Sequence, residues 1–353
     1  MFLAVRDLWW ARGRFALMVA AVGLITALVV VLSGLTEGLA RQSISAVTSL
    51  STDRIVFEKP AAGQELSMNA GRVTDAQVAA ARRQPGVRSA DPLRIGNSRA
   101  TVDGVVVQVA LFGIDPSAPA APKGLADGST MISRELADDR GIGAGDEITV
   151  AGSKLRVAAT VDDASFSHLP VLWVTPSVGR QDPSDGVGSV ILMNVGSSFE
   201  ATGFESSTGL LAKTKDDALG AIGSYSAENG SLTMIRGLLI AISALVIGAF
   251  FTVWTVQREP DLAVLKAIGA RTSYLVRDAL WQALLTLLIG GVLGAAASVA
   301  AGLAVGGRVP IVIEARTVVQ PLVLLVVVGL IGAVAALRRV VTVDPMAALG
   351  GAR

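Results

Sequence analysis

The sequence predicts a membrane α-helical protein: four transmembrane helices, with one α+β extracytoplasmic domain inserted between the first and the second. Three observations predict it. Hydrophobic residues make up 52% of the 353, and the mean hydropathy of +0.58 is higher than a soluble chain of this size normally reaches. Four uncharged stretches are each long enough to cross a hydrocarbon core of about 30 Å, which takes about 20 apolar residues. The segment between the first two stretches is polar, mixed in pattern and long enough for one compact domain.

In chain order, residues 1–14 pair Leu3, Val5, Leu8, Trp9 and Trp10 with Arg6, Arg12 and Arg14, the composition of an amphipathic helix on the inner membrane surface. The first span is the uncharged run 15–36, about 33 Å as a helix, and with a short stalk it occupies 15–41. Its apolar run is too long for a cleavable signal peptide, and no A-x-A-like site follows. The domain is expected over 42–233, with strands at Arg54–Glu58, 104–113, Glu147–Val150, 154–161 and Val190–Val195. Helices are expected at 74–83, where Thr74 and Gln77 form a capping box, at 133–139, and at 214–226 with Thr214 as cap. The second span is expected over 234–257, a cytoplasmic connector over 258–278, and the last two spans over 279–307 and 317–337, followed by a tail at 338–353. Trp254 and Trp281 near span ends suit the interface. Gly290, Gly294, Ser298, Gly302 and Gly306 recur every four residues, a face that lets another helix approach closely.

Basic residues orient the spans. Arg6, Arg12 and Arg14 precede the first, Arg258, Lys266, Arg271 and Arg277 lie between the second and third, and Arg338, Arg339 and Arg353 follow the fourth. Only Arg308 and Arg316 lie in the short loop on the other side, so both termini are expected in the cytoplasm of a multi-pass cell-membrane protein.

Several function classes are excluded. A net charge of +1 argues against nucleic acid as a partner. Without cysteine there is no disulfide framework and no thiolate metal site, and one histidine, His168, rules out multi-histidine metal chemistry within a protomer. There is no phosphate loop, no H-E-x-x-H and no G-x-S-x-G, so the chain reads as no enzyme and has no P-loop site for ATP. The spans hold almost no ionisable group from which an ion-coupled relay could be built.

The most informative segment is the connector. In "REPDLAVLKAIGA" (258–270), Pro260 suits a helix start and Gly269 a helix end, and Leu262, Leu265 and Ile268 recur at helical spacing as an apolar knob. Such a knob fits a groove on a partner, or lies on membrane lipid. This stretch resembles the coupling segment of the MacB/FtsX family of ABC transporter permeases. Further similarity lies in 73–93, 132–152 and "VDPMAALGG" (343–351), and the layout of one span, a large domain and three spans agrees. The resemblance implies a homodimer of permeases served by two copies of a separate ABC ATPase subunit that binds the ATP. It also implies that Glu259, Asp261, Leu262, Leu265, Ile268 and Gly269 couple to that ATPase. Within the family, residues 1–19 and 32–47 resemble the haem-exporting HrtB branch, which implies haem as transported substrate and no intrinsic cofactor. The glycolipid-exporting DevC branch is close in pattern. Export of another lipophilic substrate (glycolipid, drug or peptide) and an FtsX-like mechanotransmitting regulator are the alternatives.

If haem is the substrate, Glu37 is the first choice of contact and iron ligand. It ends the uncharged run of the first span, one turn beyond Ser33, although it also stands four residues before Arg41, as a surface pair would. Arg236, at the start of the second span, could hold a propionate or neutralise Glu37, or extend to headgroups. His168 sits in a polar, serine-flanked loop and reads as a surface histidine.

Overall fold

The computed structural model describes residues 12–179, 186–257, 264–266, 268–305 and 309–342. Residues 1–11 of the expected amphipathic helix, Glu259, Asp261 and Leu262 of the connector, Gly306 of the glycine stripe and the tail from 343 lie outside the described residues. The chain divides into two compact units, Met1–Gly38 with Ser231–Arg353, and Leu39–Gly230.

The first unit is built on four helices: α1 (Arg12–Thr48), α6 (Gly223–Gln257), α7 (Thr272–Val305) and α8 (Ala315–Thr342), each long and apolar enough to cross a membrane. Small residues decide how they meet. Gly290, Gly294 and Ser298 of α7 face α1, where a Cβ on Gly294 would run into the Gly23 carbonyl and lie 2.9 Å from the Thr26 Cβ. The Ser298 hydroxyl donates across this contact to the Ala27 carbonyl at 3.0 Å. Gly248 of α6 and Gly332 of α8 meet in the same way, with a Cβ on Gly332 lying 3.4 Å from the Gly248 Cα. Without water to drive association, close backbone approach is what such contacts offer. The outer faces keep large apolar side chains exposed, among them Leu24, Leu238, Leu245 and Leu303.

The second unit is a ten-stranded sheet with strand order β10-β1-β9-β2-β3-β8-β4-β6-β5 and β7 paired to β8. The strands are β1 (Arg54–Glu58), β2 (Val87–Val102), β3 (Val105–Ile114), β4 (Ser129–Ser133), β5 (Glu147–Val150), β6 (Ser153–Val161), β7 (Ser165–Phe166), β8 (Leu169–Val174), β9 (Val190–Val195) and β10 (Leu210–Thr214). A further pairing of Ala100 and Thr101 in β2 with Val150 and Thr149 in β5 closes β2-β3-β8-β4-β6-β5 into a ring. Alternation along the strands separates the cores. Ala110, Phe112, Val171 and Trp173 point to one core, and Val109, Leu111, Leu172 and Val174 to the interior of the ring. A third core lies under α2 (Asp75–Arg82) and α4 (Ala201–Thr208), where Val78, Ala81 and Phe204 meet Val56, Ile191 and Met193. The helix α3 (Arg134–Arg140) starts on Ser133, whose hydroxyl accepts the Leu136 N–H.

Strands β1, β5 and β9 coincide with the sequence reading, and the Thr74–Gln77 capping box is formed. Two features differ. The segment 87–102 is the longest strand although Pro92 and Gly96 are turn signals; Pro92 sits opposite Ile191 within the pairing to β9, and Gly96 opposite Leu111 of β3. The helix expected over 214–226 is not continuous. Thr214 caps α5 (Lys215–Ala218), a 3₁₀ turn covers Leu219–Ala221, and Ile222 turns extended at φ −91° and ψ 102° before α6 begins. The Ala221 carbonyl there accepts the Met68 N–H at 2.9 Å instead of serving a helix, and Leu219, Ala221 and Ile222 are buried in the first core.

Candidate functional site

In the first unit, Gly34 and Gly38 stand one turn apart on α1, which lets the extended segment 309–313 lie directly on the helix. The Val312 N–H donates to the Gly34 carbonyl at 3.0 Å, and the Pro310 carbonyl occupies the place where a Gly38 Cβ would be. Thr317 ties this segment to the start of α8 by donating to the Val312 carbonyl and accepting the Glu314 N–H. Glu37 is half-buried at this level, and Ser33, one turn earlier, is 5% exposed with its hydroxyl unpartnered. Arg236 is half-buried on α6 and makes no ion pair or hydrogen bond among the described residues.

The connector ends in a built stop. Residues 264–266 are helical, Gly269 has φ +102°, its N–H donates to the Lys266 carbonyl at 3.1 Å, and the Ala270 N–H donates to the Leu265 carbonyl at 3.0 Å. These two bonds make a Schellman motif with glycine in the position that disfavours a side chain. Ile268 is 79% exposed and Val264 51%, whereas Leu265 is half-buried. Val264 therefore joins Ile268 in the exposed apolar patch, a residue that sequence reasoning passed over because Leu262, Leu265 and Ile268 formed the more obvious stripe.

The second unit holds a polar cluster that sequence reasoning missed, centred on His168. Strands β7 and β8 are joined by a two-residue turn in which Ser167 (φ +51°) and His168 (φ +63°) are both left-handed. Such hairpin turns normally use Asn-Gly, and the left-handed region costs a side-chain-bearing residue about 1–2 kcal/mol. The turn is pinned to α1 by backbone bonds, Ser167 N–H to the Ser43 carbonyl at 3.1 Å and His168 N–H to the Gln42 carbonyl at 3.0 Å. The Ser165 N–H adds a bond to the Ser45 hydroxyl at 2.8 Å. On the other side the Ser224 hydroxyl donates to the Ser167 hydroxyl at 3.0 Å, and His168 Nε2 lies 2.8 Å from Glu228 Oε1 on α6. The buried Ser43 hydroxyl is 3.0 Å from the same Nε2. Serine, histidine and carboxylate together evoke a catalytic triad, but both oxygens meet one ring nitrogen and Ser43 is fully buried, so no relay from carboxylate through the ring to a nucleophile exists. Among the described residues no group of three or more His, Asp or Glu side chains is placed to hold a metal ion. Asp115, at the start of the loop after β3, is held below the ordinary carboxyl range by bonds from the Ser117 hydroxyl and N–H.

Four helices long and apolar enough to cross a membrane, with a sheet domain inserted between the first two, define the class as a multi-pass membrane protein. Two family models account for most of the chain: a MacB-like periplasmic core domain over residues 15–218 and an FtsX-like permease C-terminal domain over 233–345. The chain belongs to the MacB/FtsX family of ABC transporter permeases, membrane subunits that work with an ATPase partner. It is 27% identical to an uncharacterized ABC transporter permease of Mycobacterium tuberculosis over 357 residues, covering 99% of both chains. It is 25% identical over 356 residues, again 99% of both, to a Staphylococcus epidermidis protein provisionally named hemin transport system permease protein HrtB. The crystal structure of the periplasmic region of MacB from Actinobacillus actinomycetemcomitans aligns with 48% of this chain and 92% of its own, with a TM-score of 0.37 and 11% identity.

Proposed function

We propose that this permease extrudes haem from the membrane, working as a homodimer with two copies of a separate ATPase and with both termini in the cytoplasm. The observation that carries the reading is Glu37, a half-buried carboxylate in the apolar helix α1, held at a fixed level by the glycine-mediated seating of 309–313 on that helix. A carboxylate there suits ferric iron, and the full-length similarity to relatives named for hemin transport supports the assignment. Arg236 is the proposed partner of a propionate, having no protein partner of its own among the described residues. In the connector, Glu259, Asp261, Leu262, Leu265 and Ile268 are the proposed ATPase contacts, with Gly269 stopping the helix so that Ile268 stays exposed.

The test is an absorbance titration of the detergent-purified protein with haemin, wild type beside Glu37→Ala. A saturable Soret shift near one haem per dimer that Glu37→Ala weakens is the expected result. A shift insensitive to Glu37→Ala moves the site elsewhere, and no saturable shift overturns haem as substrate in favour of another lipophile or a regulatory role.

A further inference from the structure

The polar cluster at His168 is where two long helices meet one strained turn. Helix α1 is continuous from the membrane unit to Thr48, and α6 is continuous from Gly223 into the membrane unit. Their ends within the domain, 39–48 and 223–230, are each bonded to the same two turn residues. Ser167 takes the Ser43 carbonyl on α1 and the Ser224 hydroxyl on α6. His168 takes the Gln42 carbonyl and the Ser43 hydroxyl on α1 and the Glu228 carboxylate on α6. The turn is itself anchored from below: Phe166, 1% exposed, packs edge-on to Phe112 with ring centroids 5.6 Å apart. A second tie fixes α1 beyond the turn, where Lys215 Nζ donates to the carbonyls of Thr48 and Leu50 at 3.0 Å each.

Holding a serine and a histidine in the left-handed region is unfavourable locally, and an Asn-Gly turn would avoid it. What Asn-Gly could not supply is an imidazole between the two helices. Backbone held in a disfavoured conformation by surrounding bonds is a signature of a functional constraint. We infer that the β7–β8 turn is a clasp that keeps the domain ends of α1 and α6 at a fixed separation while ATP hydrolysis drives the membrane helices, with Ser43, His168 and Glu228 as positioning residues. The clasp rests on the ATP-driven permease class of the chain and is independent of haem as cargo.

The natural chain has no cysteine, so a pair of spin labels can be introduced cleanly at the exposed positions Thr48 and Ser226. Electron-electron distances are measured in the complex with its ATPase, diluted with unlabelled protein so that one labelled permease is read at a time. In the otherwise wild-type protein a single narrow distance is expected both without nucleotide and after vanadate trapping with ATP. In His168→Ala and Glu228→Ala, each combined with Lys215→Ala so that the second tie does not hold the Thr48 label, the nucleotide-free distance stays unchanged and trapping adds a second population displaced by about 5 Å, one helical turn, whereas Lys215→Ala alone keeps the single distance. Glu228→Gln, which keeps a hydrogen-bonding end group, restores the single distance. Broadening that is equal in both nucleotide states would mean ordinary structural loosening and would overturn the clasp. So would a single distance that survives trapping in both alanine variants, or separation of the labels in the protein with its clasp intact. Haemin binding measured on the same samples separates failure of the clasp from failure of the cargo assignment.

Discussion

The contact between α1 and α7 can be tested by one substitution made twice. Gly294→Ala places a methyl group against the Gly23 carbonyl, with the Gly23 carbonyl carbon and the Thr26 Cβ both 2.9 Å away. Comfortable carbon contacts begin at about 3.5 Å and the carbonyl oxygen is nearer than either carbon, so the helices must part by more than about 0.6 Å, and the Gly23 atoms are backbone that cannot rotate aside. Overpacking of this kind costs about 1–3 kcal/mol, and parting also weakens the Ser298 bond to Ala27, worth about 0.6 kcal/mol for an interhelical bond in a membrane protein. Gly302→Ala is the matched control. It lies in the same helix, is also buried, and removes the same glycine, but the first atom its methyl meets is Ile313 Cδ1, the free end of a flexible side chain. The helical advantage of alanine over glycine is common to both and cancels. Gly294→Ala should therefore be less stable than Gly302→Ala by about 2 kcal/mol, read as a drop of roughly 4–8 °C in the thermal unfolding midpoint of detergent-solubilised protein. Equal midpoints for the two variants would refute the claim that backbone contact at Gly23 and Gly294 sets the spacing of these helices.

Two further outcomes are expected. Ile268→Asp puts a charge on the exposed end of the connector without touching a buried group, so it should abolish co-purification of the ATPase while leaving the melting profile of the permease unchanged; retained ATPase would remove Ile268 from the contact. Thr74→Ala removes the side chain that accepts the Gln77 N–H at the start of α2, and a loss of about 1 kcal/mol in domain stability by chemical denaturation is expected.

The membrane helices were legible because an uncharged run of span length has few alternatives to a lipid-spanning helix. The caps at Thr74 and Thr214 were legible because they are local, made between residues three apart. Strand β2 was not, since Pro92 and Gly96 are turn signals whose meaning changes only when β9 and β3 are there to pair with the rest of the strand. Closure of the ring depends on β2 meeting β5, a contact no short window contains. His168 is exposed, as expected, but its bonds were not legible for the same reason. Its serine-rich surroundings look solvated, whereas its partners Ser43 and Glu228 are 125 and 60 residues away and only the fold brings them to one nitrogen. Glu37 was legible as the charge that ends an apolar run, but the seating of 309–313 on Gly34 and Gly38 beside it was not.

The central claim, that an ATPase partner drives this permease to extract haem from the bilayer, is tested most directly in vesicles. The permease is reconstituted with its co-purified ATPase in vesicles carrying haemin, and transfer to apomyoglobin added on the side of the inserted domain is followed at the Soret band. The expected result is ATP-dependent transfer that Glu37→Ala slows at least tenfold while ATP hydrolysis continues. Steady ATP hydrolysis with no transfer beyond the nucleotide-free rate would contradict it.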